Sequence, residues 1–179
     1  FGYCNGLCSD CTDLNGKDYC PYFGGPNRGD GKIPIPHPVE SQAVKLAFEL
    51  YATGEYSDGK LAEFLNTQDA VMPDGSHLPF RTKGSPLNKV PGPISKDYIR
   101  GMLNRIFYAG KIAYQGVDDK GNKRRRGDAQ ETFEAKHPAL VEESLFDEVQ
   151  EIREVMSTNP REKGGMNVRV FPLSGMIRC

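Results

Sequence analysis

The sequence lacks most of the patterns that mark membrane, secreted or catalytic proteins. No uncharged apolar run reaches the ~18 residues of a membrane span, and the first residues lack the basic-then-apolar order of a signal peptide. The histidines are few and dispersed, and no carboxylate pair, Ser–His arrangement or glycine-rich phosphate loop stands out. We therefore expect neither a membrane-spanning nor a secreted protein, and these 179 residues show no catalytic site.

What the chain does contain is a modest core and a marked asymmetry of charge. Apolar residues make up 37% of it and the mean hydropathy is −0.56, which suits a soluble, loop-rich globular fold. The net charge is only −1, yet residues 81–126 carry 12 basic and three acidic side chains, a net charge of +9. A basic middle between acidic flanks is typical of a surface for a polyanion, and equally of a solvated basic loop beside acidic helices. Charge alone does not decide between these two interpretations.

Four of the five cysteines lie within the first 20 residues, in turn-forming sequence; they are Cys4, Cys8, Cys11 and Cys20. Such turns let thiolates converge on a tetrahedral ion, and thiolates favour zinc or iron–sulfur clusters over magnesium or calcium. Two disulfides are the alternative, but no secretory signal accompanies them, so we predict a structural zinc site. The spacing of the first three cysteines also matches the cluster-binding motif of radical S-adenosylmethionine enzymes. Those enzymes resemble βα barrels, and the repeated strand–helix units of such a barrel do not follow here.

Two short helices are predicted after an extended, glycine- and proline-rich linker at residues 21–38. From Val39 the apolar residues recur at helical spacing, and Gly54 is placed to end this first helix. Ser57 is placed to cap the second helix. Two helices joined by a tight turn resemble the first half of a helix-turn-helix, and residues 67–94 are expected to form a long loop.

The third predicted helix begins at its N-cap Ser95 and ends at Gly110. One stripe of it is apolar, and on another face Lys96, Arg100 and Asn104 recur every four residues. Such a helix can enter a major groove, where arginine can pair with guanine, asparagine with adenine, and lysine with phosphate. A solvated surface helix is the plainer interpretation, but the position between a helical pair and a basic hairpin favours DNA.

A basic hairpin is predicted directly after this helix. Its strands are residues 111–114 and 132–135, and the turn-rich tip between them contains four successive basic residues: Lys123, Arg124, Arg125 and Arg126. Such a tip suits phosphate or minor-groove contacts, although a short basic run is not specific by itself. A fourth helix is predicted from an N-cap at Ser144, and its acidic face is most simply solvated surface that would repel DNA.

Five segments carry a resemblance that runs in one order along the chain. They are Phe1-Gly2-Tyr3, residues 44–66 with Gly54-x-Tyr56-Ser57, residues 99–111 with Tyr108-Ala109-Gly110-Lys111, residues 137–150 with His137-Pro138-Ala139-Leu140, and residues 171–179 with Phe171-Pro172-Leu173-Ser174-Gly175. Together they resemble the recombinase domain of large serine recombinases, of the phage integrase and transposon resolvase type. The cysteine cluster, the long loop and the absence of tryptophan depart from that family's usual pattern.

Residue patterns and resemblance together predict a mainly α fold with a small β-hairpin (α+β). The recombinase domain, of helix-turn-helix or winged-helix type, is expected at residues 39–158, after a Cys-rich metal-binding segment and linker at 1–38. A linker and the first strand of a truncated zinc ribbon are expected at 159–179, with Cys179 as its first ligand. The resemblance implies that the catalytic serine lies in a separate N-terminal domain, so no serine here takes that role. It also implies a cytoplasmic, nucleoid-associated protein.

We therefore predict that the chain binds one half of an attachment site in double-stranded DNA, together with other recombinase subunits. The predicted DNA-binding residues are Lys96, Arg100, Asn104, Arg105, Lys111, Lys123, Arg124, Arg125 and Arg126, and the predicted zinc ligands are Cys4, Cys8, Cys11 and Cys20. The alternative is a protein-interaction module without specific DNA readout. In that case the acidic fourth helix contacts neighbouring subunits, and the basic loop serves solubility.

Overall fold

The computed structural model describes residues 1–4, 33–82, 91–114 and 131–158, together with three short strands between residues 12 and 26. The helices of this part are α1 (Glu40–Ala52), α2 (Asp58–Asn66), α3 (Lys96–Leu103) and α4 (Glu143–Thr158), with a 3₁₀ helix at Ile106–Ala109. None of these helices has the length and apolar character needed to cross a membrane.

All the sheets in the described residues are small and antiparallel. They pair β1 (Tyr3–Cys4) with β5 (Ile35–Pro36), β3 (Lys17–Cys20) with both β2 (Thr12–Leu14) and β4 (Gly25–Pro26), β6 (Asp69–Val71) with β7 (His77–Pro79), and β8 (Lys111–Tyr114) with β9 (Glu131–Glu134). The predicted α+β mixture is confirmed, whereas the winged-helix arrangement and the domain boundaries stay predictions.

The first two helices form where the sequence pattern predicts them. Gly54 follows α1 with a left-handed φ of +74°, a conformation that glycine adopts without strain. The Ser57 hydroxyl accepts a hydrogen bond from the Lys60 backbone N–H and caps α2. α1 packs against each of the other three helices, and Val44 and Phe48 are fully buried. The core of the domain is therefore centred on α1.

The first residues of the chain belong to this core. Tyr3 is buried, and its ring lies edge-on to Phe107 and stacks with Tyr108 at 6.1 Å. The Gly2 backbone N–H donates to a carboxylate oxygen of Glu40 at 2.8 Å, which ties this segment to α1. The β1–β5 pair then brings the chain to the start of α1.

The predicted start of the third helix at Ser95 is confirmed, but the helix does not continue to Gly110 as predicted. Ser95 caps α3 through the Tyr98 N–H, and Gly110 has a φ of +76°. Between them the helix stops at Leu103, because Arg105 is extended at φ −95° and ψ 104°, and the chain continues as the 3₁₀ helix. The Leu103 carbonyl accepts instead from the Gln150 side-chain amide at 2.8 Å. A partner from a distant helix, which local sequence cannot reveal, accompanies the break.

The expected long loop at residues 67–94 contains a hairpin. β6 and β7 are joined by a turn in which Gly75 has a φ of +82° and Asp74 accepts hydrogen bonds from the N–H and hydroxyl of Ser76. These bonds lower the pKa of the Asp74 carboxyl. Asp-Gly is a recognised hairpin signal, so the pattern was present in the sequence and was missed.

Two smaller predictions met different outcomes. The ribbon of β8 and β9 is confirmed, with its second strand beginning one residue earlier than expected. The predicted N-cap at Ser144 is wrong, because α4 begins at Glu143 and Ser144 is its exposed second residue. The first α4 backbone bond runs from Phe146 N–H to the Glu142 carbonyl, which places the helix start before the serine.

Candidate nucleic-acid interface

α3 has the two faces that its sequence predicts. Ile99, Met102 and Leu103 are buried against the core, whereas Lys96, Arg100 and Asn104 are exposed; Asn104 is the C-cap residue. The helix therefore presents one cationic and polar face outward, as entry into a groove of DNA requires.

A groove of about 740 Å³ lies where α3, the 3₁₀ helix, the β8–β9 ribbon and α4 meet. Its lining includes Asn104, Arg105 and Lys111, three of the predicted DNA-binding residues, along with Thr132 from β9 and Gln150 from α4. Lys96 and Arg100 are not part of the lining, but precede Asn104 by two helical turns and one turn. Fold and chain order thus bring the predicted helix and the base of the predicted ribbon together.

Arg100 is exposed but not isolated from acidic groups. Its Nε lies 3.3 Å from Oδ2 of Asp58, at the start of α2, and its Nη1 lies 3.9 Å from Oδ1 of Asp97. The side chain nevertheless remains 61% exposed, so the guanidinium is accessible while held. No local sequence pattern indicates this contact, since the two residues are 42 positions apart.

The positive charge of Lys111 is already paired with carboxylates within the fold. Its ammonium contacts the carboxylate of Glu143 at the start of α4 and lies 4.0 Å from Glu134, its cross-strand partner. The hydrogen bond to Glu143, with the nearby acidic charges, raises the pKa of the Lys111 ammonium. Lys111 therefore ties the ribbon to α4, and this competes with its predicted role as a phosphate contact.

Arg105 follows the break in α3 and is exposed. It interacts with the hydroxyl of Tyr108; burial raises the pKa of that phenol, and the arginine partly offsets the rise. The predicted basic tip at residues 123–126 lies outside the described residues.

The ribbon also carries an apolar face that the sequence reasoning did not single out. Ile112 is paired with Phe133 across the strands, and Tyr114 lies two residues further along the same face. All three side chains are about half exposed. Alternation of apolar residues within β8 could have indicated this face.

A polar junction links α4 to α2 behind Arg100. Arg153 donates from Nη1 to Oδ1 of Asp58 at 3.0 Å, and its guanidinium lies over the Tyr51 ring at 5.4 Å from the centroid. Burial and the negative charge of Asp58 raise the pKa of the Tyr51 hydroxyl. Asp58 thus receives one arginine on each carboxylate oxygen.

Two of the three histidines, His37 and His137, have structural contacts. Nδ1 of His37 accepts hydrogen bonds from the N–H groups of Val39 and Glu40 at the start of α1. His137 is stacked on Phe107 and its Nε2 lies 2.6 Å from the Phe107 carbonyl oxygen.

The predicted zinc ligands are only partly within the described residues. Cys4 is buried in β1 opposite Ile35, and Cys20 is the last residue of β3, whereas Cys8, Cys11 and Cys179 lie outside. In the part of the chain that the structure describes, no three histidine, cysteine or acidic side chains are grouped to hold a metal ion. The zinc site therefore remains a prediction from cysteine spacing.

A family model described as Recombinase matches residues 38–155, well over half of the chain. The chain belongs to the recombinase family. The match confirms the resemblance to the recombinase domain of large serine recombinases, and family membership indicates a role in site-specific recombination. In this recombinase the matched span includes α1, α2, α3, the ribbon and most of α4. No curated protein and no solved structure matches the chain.

Proposed function

We propose that this recombinase domain binds one half of an attachment site in duplex DNA. The observation that supports it best is the exposed polar face of α3, which leads into the groove beside the β8–β9 ribbon. α2 and α3 then serve as a helix-turn-helix with an inserted hairpin, and the ribbon serves as a wing. In this arrangement α3 enters the major groove and the ribbon follows the adjacent backbone.

The roles of the individual residues follow from their contacts. Arg100 and Asn104 face base edges, while Lys96 and Arg105 hold phosphates on either side of them. The basic run at residues 123–126, which lies outside the described residues, supplies further phosphate contacts. We assign Lys111 to holding the ribbon, because two carboxylates already surround it.

The electrostatic part of this proposal is tested by the salt dependence of binding. Six phosphate contacts, from Lys96, Arg105 and residues 123–126, predict a slope of log K against log salt of about −5. Mobility shifts of the whole chain on an attachment-site duplex and on a scrambled duplex, over a series of salt concentrations, measure this slope. A flat response on both duplexes would contradict DNA binding through this surface.

The base-reading part is tested at Arg100. Replacing it by alanine is expected to cost about 1–3 kcal/mol of binding free energy at one base pair and to relax selectivity there. Lys96→Ala is the matched control, because a phosphate contact weakens binding on every sequence alike. Equal losses for Arg100→Ala on all sequences would make Arg100 a backbone contact instead.

We also propose a structural zinc ion held by Cys4, Cys8, Cys11 and Cys20. Four soft thiolate donors at close spacing in turn-forming sequence support it, because they suit tetrahedral zinc. About one zinc per chain is expected by elemental analysis, and Cys4→Ser should lower this content and loosen the N-terminal segment. Cys179→Ser is the control that should leave zinc unchanged, while an iron-only signal or no metal would refute the site.

A protein-interaction module remains the second candidate, and the ribbon's apolar face favours it. Exposed apolar patches often mark contact surfaces, here between recombinase subunits. If this is the main function, Phe133→Ser abolishes self-association in sedimentation experiments, while the chain shows no preference between attachment-site and scrambled duplexes. Selective DNA binding by a monomer would exclude it.

A further inference from the structure

The contact that holds Arg100 joins three helices. Asp58 lies in the first turn of α2, Arg100 on the exposed face of α3, and Arg153 on α4. Oδ1 of Asp58 accepts from Arg153 at 3.0 Å, and Oδ2 accepts from Nε of Arg100 at 3.3 Å. Each oxygen of the carboxylate is therefore committed to a different arginine.

The Arg153 side of this junction is enclosed. The Arg153 side chain is 16% exposed, lies over the Tyr51 ring, and holds an aspartate that is itself 17% exposed. Because these groups pack among α1, α2 and α4, the carboxylate has one orientation, and its second oxygen is directed at α3. The pair of Asp58 and Arg153 thus holds the side chain of Arg100, which is otherwise largely exposed to solvent.

The nitrogen that Asp58 engages matters for DNA recognition. A guanidinium has five N–H donors, and the bond to Asp58 uses the single donor on Nε. Both terminal nitrogens keep their donors, and these form the fork that pairs with O6 and N7 of guanine. The other carboxylate near Arg100, that of Asp97, lies 3.9 Å from Nη1 and is 75% exposed, so it restrains the side chain much less.

We propose that Asp58 is a positioning residue, which holds the Arg100 guanidinium with its terminal nitrogens outward and thereby sets the base preference of this domain. The inference rests on the proposed DNA-binding function. Asp58 lowers the net positive charge near the duplex, so its contribution is to selectivity rather than to affinity. Without the carboxylate, Arg100 rotates freely and reaches phosphates as readily as a base.

Asp58→Asn tests this, since it removes the charge with little change in shape. We expect the preference at one base pair to fall about tenfold, while affinity for scrambled duplex is unchanged or higher. Asp97→Asn is the matched control, because it also removes one negative charge beside Arg100. The base preference of this variant should stay within about twofold of that of the unaltered chain.

In the experiment, each protein variant selects duplexes from a DNA library with a randomised central segment, and the bound duplexes are sequenced. The unaltered chain, Asp58→Asn, Asp97→Asn, Arg100→Ala and the Asp58→Asn/Arg100→Ala double variant are compared under one salt condition. In the Arg100→Ala background, Asp58→Asn should produce no further loss at that base pair. A purely structural role predicts instead that the two losses add and that all positions weaken together.

Thermal unfolding of each variant separates loss of folding from loss of selectivity. If Asp58→Asn does not fold, Arg153→Lys replaces it, because it keeps the charge but loses the geometry that orients Asp58. Enrichment of the same sequence motif at the same strength by folded Asp58→Asn or Arg153→Lys would overturn the inference alone. No enrichment by the unaltered chain would overturn the proposed function, and the inference with it.

Discussion

The start of the chain and the β8–β9 ribbon adjoin the same short 3₁₀ helix, but they are held in opposite ways. The ring of Tyr108 in that helix stacks with Tyr3, and its hydroxyl donates to the Phe1 carbonyl at 3.3 Å. The backbone carbonyl of Tyr108 accepts from the Leu140 N–H at 2.8 Å. Three residues later, at Lys111, the chain has left the core, and the ribbon that follows is mostly exposed. One side is a closed, buried junction and the other projects outward.

The difference indicates what each region is stabilised by. The N-terminal junction is held by buried rings and by the hydrogen bond from the Gly2 N–H to the buried Glu40, whereas the described ribbon residues rely on backbone pairing and on the ion pairs of Lys111. A two-stranded ribbon without a buried face is marginal in water. Because its stabilisation within the domain is small, any ordering of the ribbon on DNA would be paid for out of the binding free energy.

The largest expected effect comes from comparing two phenylalanine-to-alanine substitutions, one beside the N-terminal junction and one in the ribbon. Phe48 is fully buried and lies 6.2 Å from Tyr108 between ring centroids, so Phe48→Ala should lower the free energy of unfolding by about 3–5 kcal/mol. Phe133→Ala, in the half-exposed ribbon, should change it by about 0.5 kcal/mol or less. Urea unfolding measures both, and similar losses would remove the contrast.

The second-largest expected effect is the loss of stability on substituting Gly2 in the N-terminal junction. Gly2 has a φ of +83°, and an added Cβ would lie 3.0 Å from a Tyr108 ring carbon and 3.1 Å from Val44. Gly2→Ala should therefore cost about 2–4 kcal/mol of stability, from both backbone strain and crowding. Gly54 is the control, because its φ of +74° is similar but nothing lies within 4 Å, so Gly54→Ala should cost only about 1–2 kcal/mol. Equal melting temperatures would show that the junction is not crowded.

The smallest effects test the two helices that flank the ribbon. Ser95→Ala removes the N-cap of α3 and should cost about 1 kcal/mol in thermal unfolding. Ser144→Ala should be nearly neutral, because this serine lies inside α4 rather than at its cap. A larger loss at Ser144 than at Ser95 would contradict the observed start of α4.

Local signals predicted the elements that depend on neighbouring residues. The α1 pattern ending at Gly54, the caps at Ser57 and Ser95, and the ribbon strands are governed by backbone conformation and alternation over a few residues. The Asp74-Gly75 hairpin is equally local, although the proline- and glycine-rich composition of residues 67–94 predicts a loop. The exposed face of α3 followed from its periodicity.

Long-range contacts account for the other differences. The break after Leu103 coincides with a bond from Gln150, 47 residues away, and Asn66 fixes the approach to α3 through two hydrogen bonds with Ile94. Asp58 lies in the first turn of α2, and in the fold its carboxylate binds both Arg100 and Arg153. No spacing rule connects residues that meet only after the helices pack.

The amino-acid sequence by itself determined where α1, α2 and the ribbon form, where α3 begins, which face of α3 is polar, and to which family the chain is similar, because these depend on local periodicity and motif order. Only the tertiary structure decided which charged side chains form ion pairs: Lys111 with Glu143, and Arg100 with Asp58. Ion pairs depend on distances of a few ångströms between side chains. Those distances exist only once α2, α3 and α4 have packed around α1.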